Sequence, residues 1–87
     1  MDKAIREKVV EIVRQYSKCN FESENLRLIN DMGMDSLSIL QLAAELEDYF
    51  AIKIDDEEIE KAENFGRVDS LIKFIYLKVG DQIGNNR

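Results

Sequence analysis

A serine hydroxyl at the start of a helix is a favourable place for a phosphate ester, and the run Gly33-Met34-Asp35-Ser36-Leu37 offers one. Asp35 is suited to act as N-cap, accepting a hydrogen bond from the exposed N–H groups of the first helical turn. Ser36 then stands in that turn, beside the positive end of the helix dipole and its free donors, where a phosphate is stabilised. Taken without context, Asp-Ser-Leu is a weak signal, since serine near a helix start serves more often as part of a cap. What the chain lacks narrows the chemistry. It has no histidine, which removes a Ser–His or Cys–His nucleophile pair within one chain. Cys19, beside Lys18, has no identifiable base and reads as a structural thiol. The cluster Asp55-Asp56-Glu57-Glu58 lacks the spacing and central glycine of an EF-hand loop, so no metal site is expected. Nothing marks a pocket for paired catalytic carboxylates, and the chain is expected not to be an enzyme.

The helix that would carry Ser36, from Ser36 to Tyr49 or Phe50, has two apolar sides. With Ser36 at zero and roughly 100° per residue, Ile39, Leu42, Ala43, Leu46 and Phe50 fall together as an ordinary core face. Leu37, Leu40 and Ala44 fall on another side, flanked by Gln41, Glu47 and Asp48. A small helix needs only one buried face. Either Leu37 and Leu40 are covered by the preceding loop, or they form an exposed apolar strip rimmed by acids, which describes a protein-binding surface.

Other elements must hold this helix. From Lys3 to Ser17, Ile5, Val9, Ile12, Val13 and Tyr16 recur at helical spacing. A long connection follows, from Lys18 to Asp35, whose scattered Phe21, Leu26, Leu28, Ile29, Met32 and Met34 predict that part of it packs on the core. A short third helix is expected near Asp56 to Ala62, with Asp55 or Asp56 as N-cap. Val68, Leu71, Ile72, Ile75 and Val79 mark a last helix, with Gly80 as its stop and a polar, frayed tail over 81–87. The 87 residues hold no proline, and 45% are hydrophobic. That usage fits one all-α domain over 1–80 with a modest core.

Charge points to partners. Eighteen acids against 12 bases give a net charge of −6, which opposes binding to nucleic acid or anionic lipid. Between Glu45 and Glu63 nine acids face only Lys53 and Lys61, so that segment carries −7 and the remainder +1. The run is either a solvated face or a docking surface for basic partners, with Asp56, Glu57 and Glu60 adding to Glu47 and Asp48. No stretch approaches the roughly 20 apolar residues that span a bilayer, and the charged start lacks a signal-peptide pattern. The lone cysteine suits a reducing compartment, so a monomer in the cytoplasm is expected.

The run Asp31-Met32-Gly33-Met34-Asp35-Ser36-Leu37-Ser38-Ile39-Leu40-Gln41-Leu42, with Leu46-Glu47-Asp48-Tyr49-Phe50 and Ile54-Asp55-Asp56-Glu57-Glu58 after it, closely resembles the acyl carrier protein family. The resemblance extends from about Ile5 to Val79. It implies a four-helix bundle with a long first loop and a short third helix. It also implies that Ser36 is esterified with 4′-phosphopantetheine by a phosphopantetheinyl transferase, and that the arm's thiol carries acyl groups as thioesters. Leu37, Leu40, Gln41, Ala44, Glu47 and Asp48 would meet the transferase and the acyl-transferring, ligase or synthase enzymes. An acyl chain would fold back among Ile39, Leu42, Ala43, Leu46, Phe50, Ile54, Ile59, Ala62 and Leu71, with Ala43 and Ala62 as the small residues. The same residues also suit a plain packed core with no ligand.

Some positions depart from the family pattern. Gln41 stands where many members have Glu, Ser38 where many have Asp or another polar residue, and Asp55 where proline is common. Asn64-Phe65-Gly66 lengthens the connection into the last helix. These changes leave the cofactor expectation intact but weaken the tie to fatty-acid synthesis, and a polyketide or specialised acyl pathway, or an amino-acyl or peptidyl cargo, stays open. A cofactor-free acidic helical adaptor shares every feature except Ser36 in its setting.

Overall fold

Apolar spacing becomes helix along most of the chain. The computed structural model describes residues 3–17 and 26–85, with side-chain surroundings as far as Gly80; Cys19 and Phe21 lie outside the described residues. Five helical segments follow one another: α1 (Lys3–Tyr16), α2 (Ser36–Phe50), α3 (Asp56–Glu60), α4 (Ala62–Phe65) and α5 (Val68–Asn85). No strand forms among the described residues, and a single antiparallel bridge joins Arg27 to Arg67. None of their helices is long and apolar enough to cross a membrane.

The core sits where the apolar faces of α1, α2 and α5 meet. Val9, Ile12 and Val13 of α1 pack with Leu42 and Leu46 of α2 and with Val68, Leu71, Ile72 and Ile75 of α5. A hydrogen bond of 2.6 Å from the Tyr16 hydroxyl to Glu45 Oε1 joins α1 to α2. This bond, with some help from burial, pushes the phenol up from its ordinary value.

The first loop contributes to that core as its apolar residues predict. Leu28, Met32 and Met34 are buried. Its backbone curls on itself, with Asp31 N–H and Met32 N–H donating to Arg27 O at 3.0 and 3.1 Å. Two further bonds fasten it to the α4–α5 junction: Leu28 N–H to Gly66 O at 3.0 Å and Val68 N–H to Leu26 O at 3.2 Å. Gly66 has to be glycine there, because an added Cβ would stand 2.4 Å from the Ala62 carbonyl oxygen.

Two expectations need correction. The third helix is broken: Lys61 adopts φ −83° and ψ 125°, so α3 is five residues and α4 one turn of four. The Asn64 amide donates to the Glu58 carbonyl oxygen at 3.0 Å, beside the longer 3.4 Å bond that the same carbonyl accepts from Lys61 N–H. Asp55 is the N-cap, and its N–H donates to Glu58 Oε1 at 3.0 Å. The last helix does not stop at Gly80 but continues to Asn85, into the segment expected to fray. Glycine ends a helix by adopting the left-handed conformation, and among described glycines only Gly33 has positive φ. Kept right-handed, Gly80 costs the helix only about 1 kcal/mol relative to alanine.

Candidate functional site

Ser36 owes its position to the loop before it. Gly33 takes φ 73°, a left-handed turn that glycine makes without steric cost. Its N–H donates to Ile29 O at 3.2 Å, and Met34 N–H donates to Leu28 O at 3.1 Å. Met32 and Met34, at 0% and 2% exposure, plug the loop into the core on either side of Gly33. Asp35 follows in extended backbone, φ −102° and ψ 179°, and caps α2 as the sequence predicts. Its Oδ1 accepts from Ser38 N–H at 2.8 Å, and its carbonyl accepts from Ile39 N–H at 3.0 Å. Ser36 is therefore the first residue of a 15-residue helix, and it is exposed. The loop is braced further by Asp31, whose Oδ2 accepts from Arg27 N–H at 2.8 Å and Arg27 Nε at 3.4 Å. Those two bonds, the backbone one foremost, hold its carboxyl below the usual range.

A cleft of about 330 Å³ opens beside the serine, lined by Ile29, Ser36, Ile39, Leu40, Ile59, Glu60 and Phe65. It is apolar apart from the serine and the glutamate, and lies at the small end of the range of about 300–1,000 Å³ found for ligand pockets. Two of the residues expected to line an acyl pocket, Ile39 and Ile59, are here. Leu42, Ala43, Leu46, Ile54 and Leu71 are instead buried within the packed core, and Phe50 packs half-buried against it. Ala62 is exposed: the break at Lys61 places it at the head of α4 rather than facing inward. Sequence reasoning missed Ile29, Leu40 and Phe65 as cleft walls. Phe65 in particular sat in a stretch read as connection.

The second apolar side of α2 is open. Leu37 and Leu40 are 64% and 51% exposed, so the described part of the first loop does not cover them. Gln41, Ala44 and Asp48 are exposed along the same helix, as are Asp56, Glu57 and Glu60 beyond it. Ile29, exposed at 58%, extends this strip onto the first loop. Glu47 differs from the other acids. It is half-buried, and its Oε2 accepts from Ile54 N–H at 2.7 Å. Glu58 is likewise engaged, with Lys78 Nζ 2.9 Å away. Burial pushes the Glu58 carboxyl up, but the Asp55 N–H and Lys78 together outweigh it and leave the group below its ordinary value.

Residues 7–75 match the family model described as "Phosphopantetheine attachment site". This chain belongs to the phosphopantetheine-binding acyl carrier family. An acyl carrier protein of Rickettsia bellii is 35% identical over 71 residues, which cover 79% of this chain and 88% of that one. One from Wolinella succinogenes is 37% identical over 67 residues, 75% of this chain and 88% of its own length. A third, from Thermotoga maritima, is 37% identical over 51 residues, 59% of this chain and 63% of that protein. The fold agrees with a crystal structure of an acyl carrier protein from Thermotoga maritima, with a TM-score of 0.71 at 24% identity over 93% of this chain and 98% of that one. The family's cofactor is a covalent 4′-phosphopantetheine, and the site fits such a group: an exposed hydroxyl, the positive end of a long helix and an adjoining apolar cleft.

Proposed function

We propose that the protein is a non-catalytic carrier of acyl intermediates, with Ser36 as the residue that bears 4′-phosphopantetheine. When attached, that group supplies a thiol on which an acyl unit is held as a thioester. The chain's own residues present and shelter the unit. Asp35 fixes the start of α2, where Ser36 is exposed at the mouth of the cleft, and the N-terminal N–H groups of α2 favour the phosphodiester charge. The observation that carries the reading is this exposed serine at the head of a capped 15-residue helix, within the segment matching the attachment-site model. The apolar lining of the cleft favours an aliphatic cargo over an amino-acyl one.

The partners that suit this surface are a phosphopantetheinyl transferase and acyl-handling enzymes with basic docking patches. Leu37, Leu40 and Ala44 supply exposed apolar area, and Gln41, Asp48, Asp56, Glu57 and Glu60 rim it. The net charge of −6 supports protein partners over nucleic acid or anionic membranes. The lone cysteine is consistent with a cytoplasmic setting.

Intact mass before and after incubation with coenzyme A and a broad-specificity phosphopantetheinyl transferase tests the assignment. The native chain should gain one phosphopantetheine unit, and Ser36→Ala should gain none while keeping its far-UV helical signal. Modification of the alanine variant, or none of the native chain, would overturn it.

A further inference from the structure

The cleft beside Ser36 has a floor made by two side chains. Ile39 and Phe65, at 7% and 5% exposure, line the cleft and also belong to the buried core. Behind them the core residues Leu42, Leu46, Leu71 and Ile75 are all at 0% exposure. Of the two floor residues, Phe65 has the larger side chain and the firmer seat. Its ring meets the edge of Phe74 with centroids 5.8 Å apart, and its N–H donates to Lys61 O at 3.0 Å. The next residue, Gly66, is tied to the first loop through Leu28 N–H and sits too close to the Ala62 carbonyl to carry a side chain. The backbone under Phe65 therefore cannot give way without pulling the first loop with it.

We propose that Phe65 sets the length of acyl chain this carrier shelters: the cleft takes a short, neutral, aliphatic chain, and the Phe65 ring stops a longer one. The inference rests on the carrier reading above and adds the cargo class. Ser36 is itself part of the cleft wall, so a chain tethered there samples the cleft at an effective concentration in the millimolar range, and modest affinity suffices. Ile29, Ile39, Leu40 and Ile59 reward each methylene that leaves water. Glu60 places a carboxylate among the lining residues, which disfavours a chain ending in a carboxylate of its own.

The test uses the holo protein loaded with saturated acyl groups of increasing length, with melting temperature read against the holo form of the same variant. Referring each gain to its own holo form separates cargo binding from any cost of substitution to folding. In the native chain the gain should rise with acyl length and then level off. Phe65→Leu, which keeps the floor apolar but shorter, should move the levelling point to longer chains. Phe65→Trp, which fills more of the cleft, should move it to shorter ones. The same levelling length in all three proteins would overturn the proposal, and so would a melting temperature flat across the series. A flat series with full mass gain at Ser36 sinks the length gauge alone, whereas absence of any mass gain sinks the carrier reading as well.

Discussion

Replacing Glu47 with alanine removes the acceptor for a buried backbone amide. In the native chain Glu47 Oε2 accepts from Ile54 N–H at 2.7 Å, and Ile54 is 6% exposed. Hydrogen bonds to charged groups contribute about 1.5–3 kcal/mol, and a stranded buried donor costs about 1–3 kcal/mol. Glu47 is half-buried, so solvent moderates both effects, and a loss of about 1–2 kcal/mol is expected. In a domain of this size each kcal/mol moves Tm by about 4–8 °C, which gives a drop of about 5–15 °C. Glu47→Gln keeps a neutral carbonyl acceptor and should lose roughly half as much. Asp48→Lys is the companion variant, because Asp48 is exposed and surface changes usually stay within about 0.5 kcal/mol. It should leave melting nearly unchanged yet slow phosphopantetheine loading, and the slowing should shrink as salt rises. Circular dichroism melts at fixed ionic strength and initial loading rates read the two effects separately. If Glu47→Ala melts within about 2 °C of the native chain, no substantial stability resides in the bond and the reasoning fails.

Gly66→Ala should destabilise by about 1–2 kcal/mol, since overpacking costs about 1–3 kcal/mol and the stiffer unfolded chain returns only about 0.4–1 kcal/mol. The added Cβ meets backbone, the Ala62 carbonyl at 2.4 Å, so no side chain can swing aside; a lower urea midpoint at unchanged slope is the check. On the acid side, Asp31 and Glu58 both titrate below their ordinary values in the folded chain. Their stabilisation is fully present above the unfolded carboxyl range of about pH 4 and is lost as pH falls through the folded values. Lys78→Met removes one cause of the Glu58 depression, and a plot of Tm against pH should then fall less steeply below about pH 4.

What was legible in the sequence was periodic or local. The α1 and α2 faces follow from spacing alone, and Asp35 announces itself as a cap because the signal needs only its neighbours. The break at Lys61 had no such marker. No glycine or proline stands there, and the contacts found beside the break come from side chains farther along the chain, Asn64 on the Glu58 carbonyl and Lys78 on the Glu58 carboxylate. Gly80 misled for the opposite reason, since glycine permits a stop without enforcing one. Phe65 became visible as a cleft wall only once α4 was seen as a separate turn, and Ala62 left the interior for the same cause. The bridge between Arg27 and Arg67 joins residues 40 apart in the chain, and no window of sequence carries that pairing.

The acids between Glu45 and Glu63 do not all do one job, and their division bears on why so many are there. Glu45 is taken by the Tyr16 hydroxyl, Glu47 by the Ile54 amide, and Glu58 by Asp55 N–H and Lys78. These three hold helices and loops together, and charge reversal at any of them would confuse loss of fold with loss of docking. Asp48, Asp56, Glu57 and Glu60 are exposed, and among the described residues no hydrogen bond or ion pair occupies them. Clustered like charges repel one another and lower the stability of the compact state. Asp56 and Glu57 lie in the first turn of α3, where a helix start favours acids, whereas Asp48 and Glu60 stand in the last turns of α2 and α3, where it does not. Leu37 and Leu40 carry the same argument in apolar form, being exposed large side chains on a helix that already has a buried face. Acids without internal partners beside apolar residues without cover define one surface adjoining Ser36. Under the carrier proposal a basic enzyme patch would satisfy both halves at once.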